Sequence, residues 1–230
     1  MDTLSWSIAD EFLLTLIHDV RAYVRRSLSG IQLIERAVGN TQEVTLRQRF
    51  EQVVGANKEL DKFLARLADY AGAAHPMAGP ALPLLAIVKA ALLRFPRHPI
   101  ELIDPVPETA REILLPPEMV RVFVELIDNA LKFSRNGRVT IHIEPAKHNG
   151  ATRVMICDFG IGVPSDEKER VFDLLISLQS RETYPGFGLG LPICRRIADL
   201  AGAGVSLASN PVGGTIAIVD IPNAQLGPNT

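Results

Sequence analysis

A basic excess is absent from this chain. Its 230 residues include 24 lysines and arginines against 26 acidic residues, for a formal net charge of -2. Nothing is left over to neutralise a run of phosphates, which argues against nucleic acid as the main partner. Cysteine is scarce, with only Cys157 and Cys194 present, and this excludes a disulfide-stapled secreted scaffold. The longest apolar stretch, Ala81 to Leu93, is broken by Pro83 and Lys89 and is too short to cross a bilayer. The start, MDTLSWSIADEFLL, has acids where a signal peptide needs a basic region. What remains is the expectation of a cytoplasmic protein with no membrane segment, built as one large or two small domains. With 47% hydrophobic residues it has enough apolar material for a core.

Proline is also missing from Leu4 to Tyr70, and there the apolar residues fall into two stripes. Leu13, Ile17, Val20, Val24, Leu28, Ile31, Ile34 and Val38 recur at steps of three or four, which puts them on one helix face. Gly39-Asn40-Thr41 breaks the pattern, with Gly39 and Asn40 suited to a left-handed C-cap and Thr41 to the next N-cap. The second stripe is Leu46, Phe50, Val53, Asn57, Leu60, Leu64 and Leu67, a bundle seam with one polar seat at Asn57. A short loop between two long helices makes an antiparallel hairpin. Such a hairpin cannot bury its stripe alone, so a homodimeric four-helix bundle is expected. Packing of the hairpin on the rest of its own chain is the alternative.

Prolines crowd the stretch from His75 to Pro117, which reads as a linker. Beyond it the pattern is α/β. Glu118 to Phe133 is helical; Val139 to Glu144 and Arg153 to Cys157 read as strands. Leu191 to Ala201 is a helix, and Val205 to Ala208 with Thr215 to Ile221 form a terminal hairpin around Asn210-Pro211-Val212-Gly213-Gly214.

Three motifs in this region could carry chemistry. In VELIDNALKF, Glu125, Asn129 and Lys132 share one helix face. An amide oxygen can ligate a hard cation and an amine can meet a phosphate, although a solvated helix face fits this stripe equally well. Asp158-Phe159-Gly160-Ile161-Gly162 ends a strand, where glycines admit a flat ligand and Asp158 offers an acceptor; an ordinary turn would look similar. Its DFG letters occur in protein kinases, but no lysine-bearing third strand or HRD loop accompanies them. Gly186-Phe187-Gly188-Leu189-Gly190-Leu191-Pro192 runs into a helix, whose free N–H groups and dipole attract an anion. The polar segment before it, Gln179 to Pro185, does not fit a dinucleotide-binding strand.

Taken together and in this order, the motifs resemble the N, G1 and G2 boxes of the Bergerat-type ATPases, which include gyrase, mismatch-repair proteins and histidine kinases. RETYPGFGLGLPICRRIADLAG is very similar to the matching stretch of phytochrome-like bacterial histidine kinases. Upstream, Ile17-His18-Asp19-Val20-Arg21-Ala22 looks like their phosphoacceptor box, and the resemblance runs over about residues 10 to 222. It implies an α + α/β architecture. Residues 1–75 would be the dimerisation and histidine phosphotransfer hairpin, and 76–230 an α/β sandwich of Bergerat type that binds ATP.

By the same resemblance, His18 is the phosphoacceptor and Asp19 its base or orienting group. Asn129 is the Mg²⁺ ligand with Glu125 beside it, and Lys132 meets the phosphates. Asp158 accepts from the adenine amino group, Gly160 and Gly162 line the base pocket, and Gly186, Gly188 and Gly190 flank the triphosphate. Thr215 supports the adenine through water. Phe172 matches the phenylalanine that anchors the loop over the nucleotide, or is a plain core residue, and Arg181 in that loop could neutralise phosphate charge. The implied activity is that of a two-component histidine kinase core. Such a core autophosphorylates His18 from ATP and passes the phosphoryl group to an aspartate of a response regulator receiver domain. An upstream sensor module is expected from a longer receptor or a partner. The alternatives are a docking protein with a degenerate ATPase-like domain and an ATPase or serine kinase of the same superfamily. Intact Asn129 and Asp158 weigh against the first, and the His18-Asp19 pair against the second.

Three positions depart from the family pattern. Tyr23 stands where a proline is usual, and Ala22 where a threonine or asparagine would orient water, so weak or absent phosphatase activity is expected. Phe159 replaces the polar residue common in the second place of the G1 box, which puts nucleotide affinity in question.

Overall fold

The computed structural model describes residues 3–38, 44–73, 75, 79–103, 108–146, 150–180 and 182–222. The chain divides into two units, Met1–Ala74 and His75–Thr230.

In the first unit, α1 (Thr3–Val38) and α2 (Val44–Gly72) realise the two proline-free stripes. Ile17, Val24 and Leu64 are buried together, with Leu13, Val20, Leu67 and Ala68 packed around them. Arg21 on α1 donates to Asp61 on α2 at 3.0 Å, which ties the helices across the hairpin. The polar seat at Asn57 closes on its own helix, its amide donating to the Val53 carbonyl one turn earlier at 2.9 Å. Farther along the stripes, Ile34, Val53 and Leu60 are exposed, as is Leu33 beside them. The expected caps at Gly39 to Thr41 lie outside the described residues.

The second unit layers helices on a mixed sheet. Its strands are β2 (Ile100–Ile103), β4 (Ser134–Pro145), β5 (Ala151–Gly160), β6 (Gly204–Ser209) and β7 (Thr215–Pro222). They lie in the order β2-β4-β5-β7-β6. Only β2 and β4 run parallel; the other neighbours are antiparallel. A separate two-stranded ribbon pairs β1 (Leu82–Pro83) with β3 (Leu114–Leu115). The helices are α3 (Leu84–Leu92), α4 (Glu108–Arg111), α5 (Met119–Phe133) and α6 (Gly190–Leu200). A 3₁₀ turn spans Arg170–Phe172. Helix α5 packs against α3, α6, β4 and β5.

Period-two alternation decides which sheet face is buried. Val139, Ile141 and Ile143 of β4, Val154 and Ile156 of β5, and Ala217, Val219 and Ile221 of β7 form the core with Ile127, Leu126 and Phe123 of α5. At the rim of this sheet, Arg153 of β5 grips Asp220 of β7 with two hydrogen bonds, Nε to Oδ1 at 2.7 Å and Nη2 to Oδ2 at 2.8 Å.

The proline-rich stretch corrects one expectation. The described part of residues 75–117 is not a linker: α3 buries Leu84, Ile87, Val88 and Ala91 completely, and β2 is a strand of the main sheet. Two of the prolines stand at the edges of these elements. Pro83 (φ -58°, ψ 137°) sits at the N-terminus of α3 and Pro99 just before β2, places where a missing N–H costs little.

Candidate functional site

Helix α5 supplies the first group of side chains. Its buried face is Met119, Val122, Phe123, Leu126, Ile127 and Ala130. The polar face therefore turns Glu125, Asn129 and Lys132 outward, each half-buried, as the spacing requires. Burial lowers the Lys132 pKa below that of an ordinary lysine, and neighbouring Asp128 opposes the shift in part. Its ammonium stands 4.8 Å from the centroid of the Phe133 ring. A Cβ added at Gly186 would lie 2.8 Å from the same Nζ, so the first glycine of the GFGLG run rests against Lys132.

At the end of the central strand β5, Asp158 is only 5% exposed. Its Oδ1 accepts from the Gly160 N–H at 2.9 Å and from the Thr215 N–H at 3.0 Å, the latter from the first residue of β7. Desolvation raises its pKa, and the hydrogen bonds from Thr215 and Gly160 pull the other way. Its own carbonyl is held by the Asn210 amide at 2.8 Å, from the turn between β6 and β7. Gly160 has no room for a side chain, since an added Cβ would overlap the Phe133 carbonyl. Gly162 lies beyond the strand against Gly214, where a Cβ would approach the carbonyl to 3.4 Å.

The glycine loop reaches α6, which begins at Gly190. Gly188 adopts φ 68°, and a Cβ there would sit 2.5 Å from the Ile176 carbonyl oxygen. Its carbonyl accepts from the Leu175 N–H at 3.0 Å, and Leu175 itself holds φ 65°. Phe172 is buried in the preceding turn beneath Arg195 of α6, whose guanidinium lies 3.9 Å from the ring centroid and reaches Glu169 at 2.8 Å. A stacked, ion-paired cation thus clamps the Glu169–Phe172 turn onto the helix that follows the glycine loop.

The structure therefore brings Lys132 to Gly186, and Asp158 to Gly160 and Thr215. It places Glu125 and Asn129 on the same face of α5 as Lys132. Phe159 lies out of line with Asp158, as successive strand residues must. It is half-buried under Arg138, whose guanidinium is 5.5 Å from its ring centroid, so the departure at this position falls on the other sheet face from Asp158. His18 belongs to the first unit, exposed on α1 next to buried Ile17. Arg181 and the side chain of Asp19 lie outside the described residues. The sequence reading did not single out Asn210, Tyr184 or Arg195. Asn210 carried a signal as part of a turn, and Tyr184 and Arg195 lie in the stretch that bears the family resemblance, where nothing local marks their partners.

A five-stranded mixed sheet layered on helices, with a buried acid ending its central strand and a glycine loop opening a helix, defines a Bergerat-type α/β ATPase unit preceded by a helical hairpin. Residues 115–225 match the family described as histidine kinase-, DNA gyrase B-, and HSP90-like ATPases. The chain as a whole resembles the catalytic core of a sensor histidine kinase. Among curated relatives, the adaptive-response sensory kinase SasA of Prochlorococcus marinus subsp. pastoris is 43% identical over 93 residues, 40% of this chain and 25% of that protein. SasA of Gloeothece citriformis is 26% identical over 201 residues, 82% of this chain and 51% of that protein. The chain thus spans about half or less of the curated relatives it matches. Among solved structures, full-length ShkA in complex with AMPPNP aligns with a TM-score of 0.64 at 23% identity, covering 92% of this chain and 45% of that one. The mycobacterial sensor histidine kinase MprB aligns with a TM-score of 0.51 at 23% identity, covering 64% of this chain and 97% of that one. These two likenesses establish the fold. Among the described residues no helix is long and apolar enough to cross a membrane.

Proposed function

We propose that this chain is a histidine autokinase core of a two-component system. In this reading the second unit binds Mg·ATP and delivers its γ-phosphoryl group to His18. The observation that carries the proposal is the buried Asp158 carboxylate, fixed from two strand ends by the Gly160 and Thr215 N–H groups, in a stretch similar to histidine kinase-, gyrase- and HSP90-like ATPases. The two backbone bonds and one from the Thr215 hydroxyl do not use up the roughly four lone-pair sites of a carboxylate, so acceptor capacity is left for the adenine amino group. Gly160 and Gly162 keep side chains out of the base pocket, and Thr215 supports the base through water. Gly186, Gly188 and Gly190 present backbone to the triphosphate ahead of α6, with Lys132 and Arg181 adding positive charge.

The donor set suits Mg²⁺ arriving on a polyphosphate. Among the described residues no three His, Cys, Asp or Glu gather into a cage. A magnesium ion that keeps its phosphates and waters needs only one or two protein oxygens. Asn129 fits that requirement, with Glu125 one turn earlier on the same face. Bound there, the ion would neutralise charge on the phosphates.

In the transfer itself, a neutral imidazole nitrogen of His18 forms the N–P bond as the bond from the γ-phosphorus to the ADP oxygen breaks. Asp19 takes or orients the ring proton. Positioning supplies most of the rate, because the protein has little covalent work to do. The phosphohistidine then passes its group to an aspartate of a response regulator receiver domain. The exposed Ile34, Val53 and Leu60 suit pairing of two hairpins into a homodimeric four-helix bundle.

Incubation with γ-labelled ATP tests the proposal. Acid-labile label is expected on the unsubstituted chain and none on His18→Gln. Equal labelling of both would overturn the assignment.

The raised pKa of Asp158 adds a pH dependence. Only the ionised carboxylate accepts the adenine hydrogen at full strength, so nucleotide affinity is lost as pH falls through the raised value. The loss begins at a higher pH than an ordinary aspartate would set. Calorimetric titration across the acid range checks this, and an affinity that stays flat there contradicts it.

A further inference from the structure

Two contacts join the approach to the glycine loop to the end of α5. The Tyr184 ring packs on Phe133 with centroids 5.0 Å apart and planes inclined by 36°. Two residues later, Gly186 lies against the Lys132 ammonium. A tight turn aims Tyr184: the Thr183 and Tyr184 N–H groups donate to the Ser180 carbonyl at 3.2 and 2.9 Å, and the Glu182 N–H to Ser180 Oγ at 3.2 Å. The other side of the loop is already fixed where Leu175 bonds Gly188. The aromatic pair is a side-chain contact that holds the near side.

We infer that Tyr184 is a positioning residue: by packing on Phe133 it seats the glycine loop against Lys132 before any nucleotide arrives. The inference rests on the nucleotide reading above and adds to it a residue that reaches neither base nor phosphate. A loop seated in advance loses less freedom when it meets a triphosphate, so its benefit appears as affinity for phosphates and not for the base. The partial desolvation of Lys132 agrees with a loop already resting on it. The ring does the work and the hydroxyl does not, because the contact to Phe133 is made ring against ring, in a tilted pair.

The test compares the full chain with Tyr184→Ala and Tyr184→Phe, titrating each with a non-hydrolysable ATP analogue and with adenosine. An aromatic pair of this kind corresponds to roughly a three- to tenfold change in an equilibrium constant. The alanine variant is expected to bind the triphosphate analogue weaker by that factor and adenosine as the unsubstituted chain does. The phenylalanine variant is expected to bind both normally. Without nucleotide, the amides of residues 186–190 should exchange hydrogen faster in the alanine variant alone. Unchanged affinity and exchange in Tyr184→Ala, an equal loss for adenosine, or a loss in Tyr184→Phe would each overturn the inference. Should the alanine variant fail to fold, Tyr184→Leu, which keeps bulk without the ring, must show the same selective loss. Failure of the unsubstituted chain to bind either ligand would instead sink the nucleotide reading, whereas unchanged hydrogen exchange sinks only the role of Tyr184.

Discussion

Asp158→Asn is expected to weaken ATP binding about 100-fold while leaving the fold intact. An asparagine can keep its carbonyl oxygen toward the Gly160 and Thr215 N–H groups, which the native Oδ1 holds at 2.9 and 3.0 Å. Its second position then carries an NH₂ where the native residue offers an oxygen. Facing the adenine amino group, donor meets donor. A hydrogen bond to a charged group is lost and a buried donor is left unmatched, together about 3 kcal/mol. Stability should move the other way. Burial raises the Asp158 pKa above that of the unfolded chain, so ionisation costs stability as pH rises through the raised value, and the amide removes that cost. A thermal unfolding scan at neutral pH should show a midpoint no lower than that of the unsubstituted chain, alongside the calorimetric loss of ATP affinity. Undiminished ATP binding by Asp158→Asn would remove the base-recognition role.

The second large effect is on folding. Gly160→Ala places a methyl group into the Phe133 carbonyl. That carbonyl cannot swing aside cheaply: it ends α5, it accepts the Ile161 N–H at 3.3 Å, and the next residue, Ser134, is paired with Gly160 across β4 and β5. Forcing backbone from backbone at a helix–strand junction costs about 3 kcal/mol, the upper end for overpacking. For a chain of this size that lowers the unfolding midpoint by about 6–12 °C. Nucleotide binding should fall with it, because Asp158 and Lys132 flank the same junction. An unchanged midpoint would mean that the α5–β5 junction is looser than described.

What the sequence disclosed, and what it hid, follows from how far apart the interacting residues lie. The stripes of α1 and α2, the polar face of α5 and the alternation in β4, β5 and β7 are local patterns, and all fall on elements of the expected type. Among the described residues, however, the stripes bury only Ile17, Val24 and Leu64 and leave Ile34, Val53 and Leu60 exposed. Helix α3 and strand β2 were obscured because prolines mark their ends and the density of Pro83, Pro96 and Pro99 looks like punctuation throughout. Strand β2 is also a short edge strand joined in parallel to β4, a pairing that local alternation does not signal. The glycine motifs showed where backbone would be exposed. The groups that hold them in place, Asn210 on the Asp158 carbonyl, Tyr184 on Phe133 and Arg195 on Phe172, act across 23 to 52 residues of chain and depend on register. Phe159 shows the same limit in reverse. Its place in the motif raised a question of nucleotide affinity, and strand alternation sends it under Arg138, on the other face from Asp158.

Phosphorus NMR of the chain incubated with Mg·ATP reaches the central claim most directly. A protein-bound phosphoramidate resonance should grow as ADP appears in equal amount, vanish on mild acid treatment and be missing from His18→Gln. Inorganic phosphate and ADP accumulating with no protein-bound signal would contradict the account.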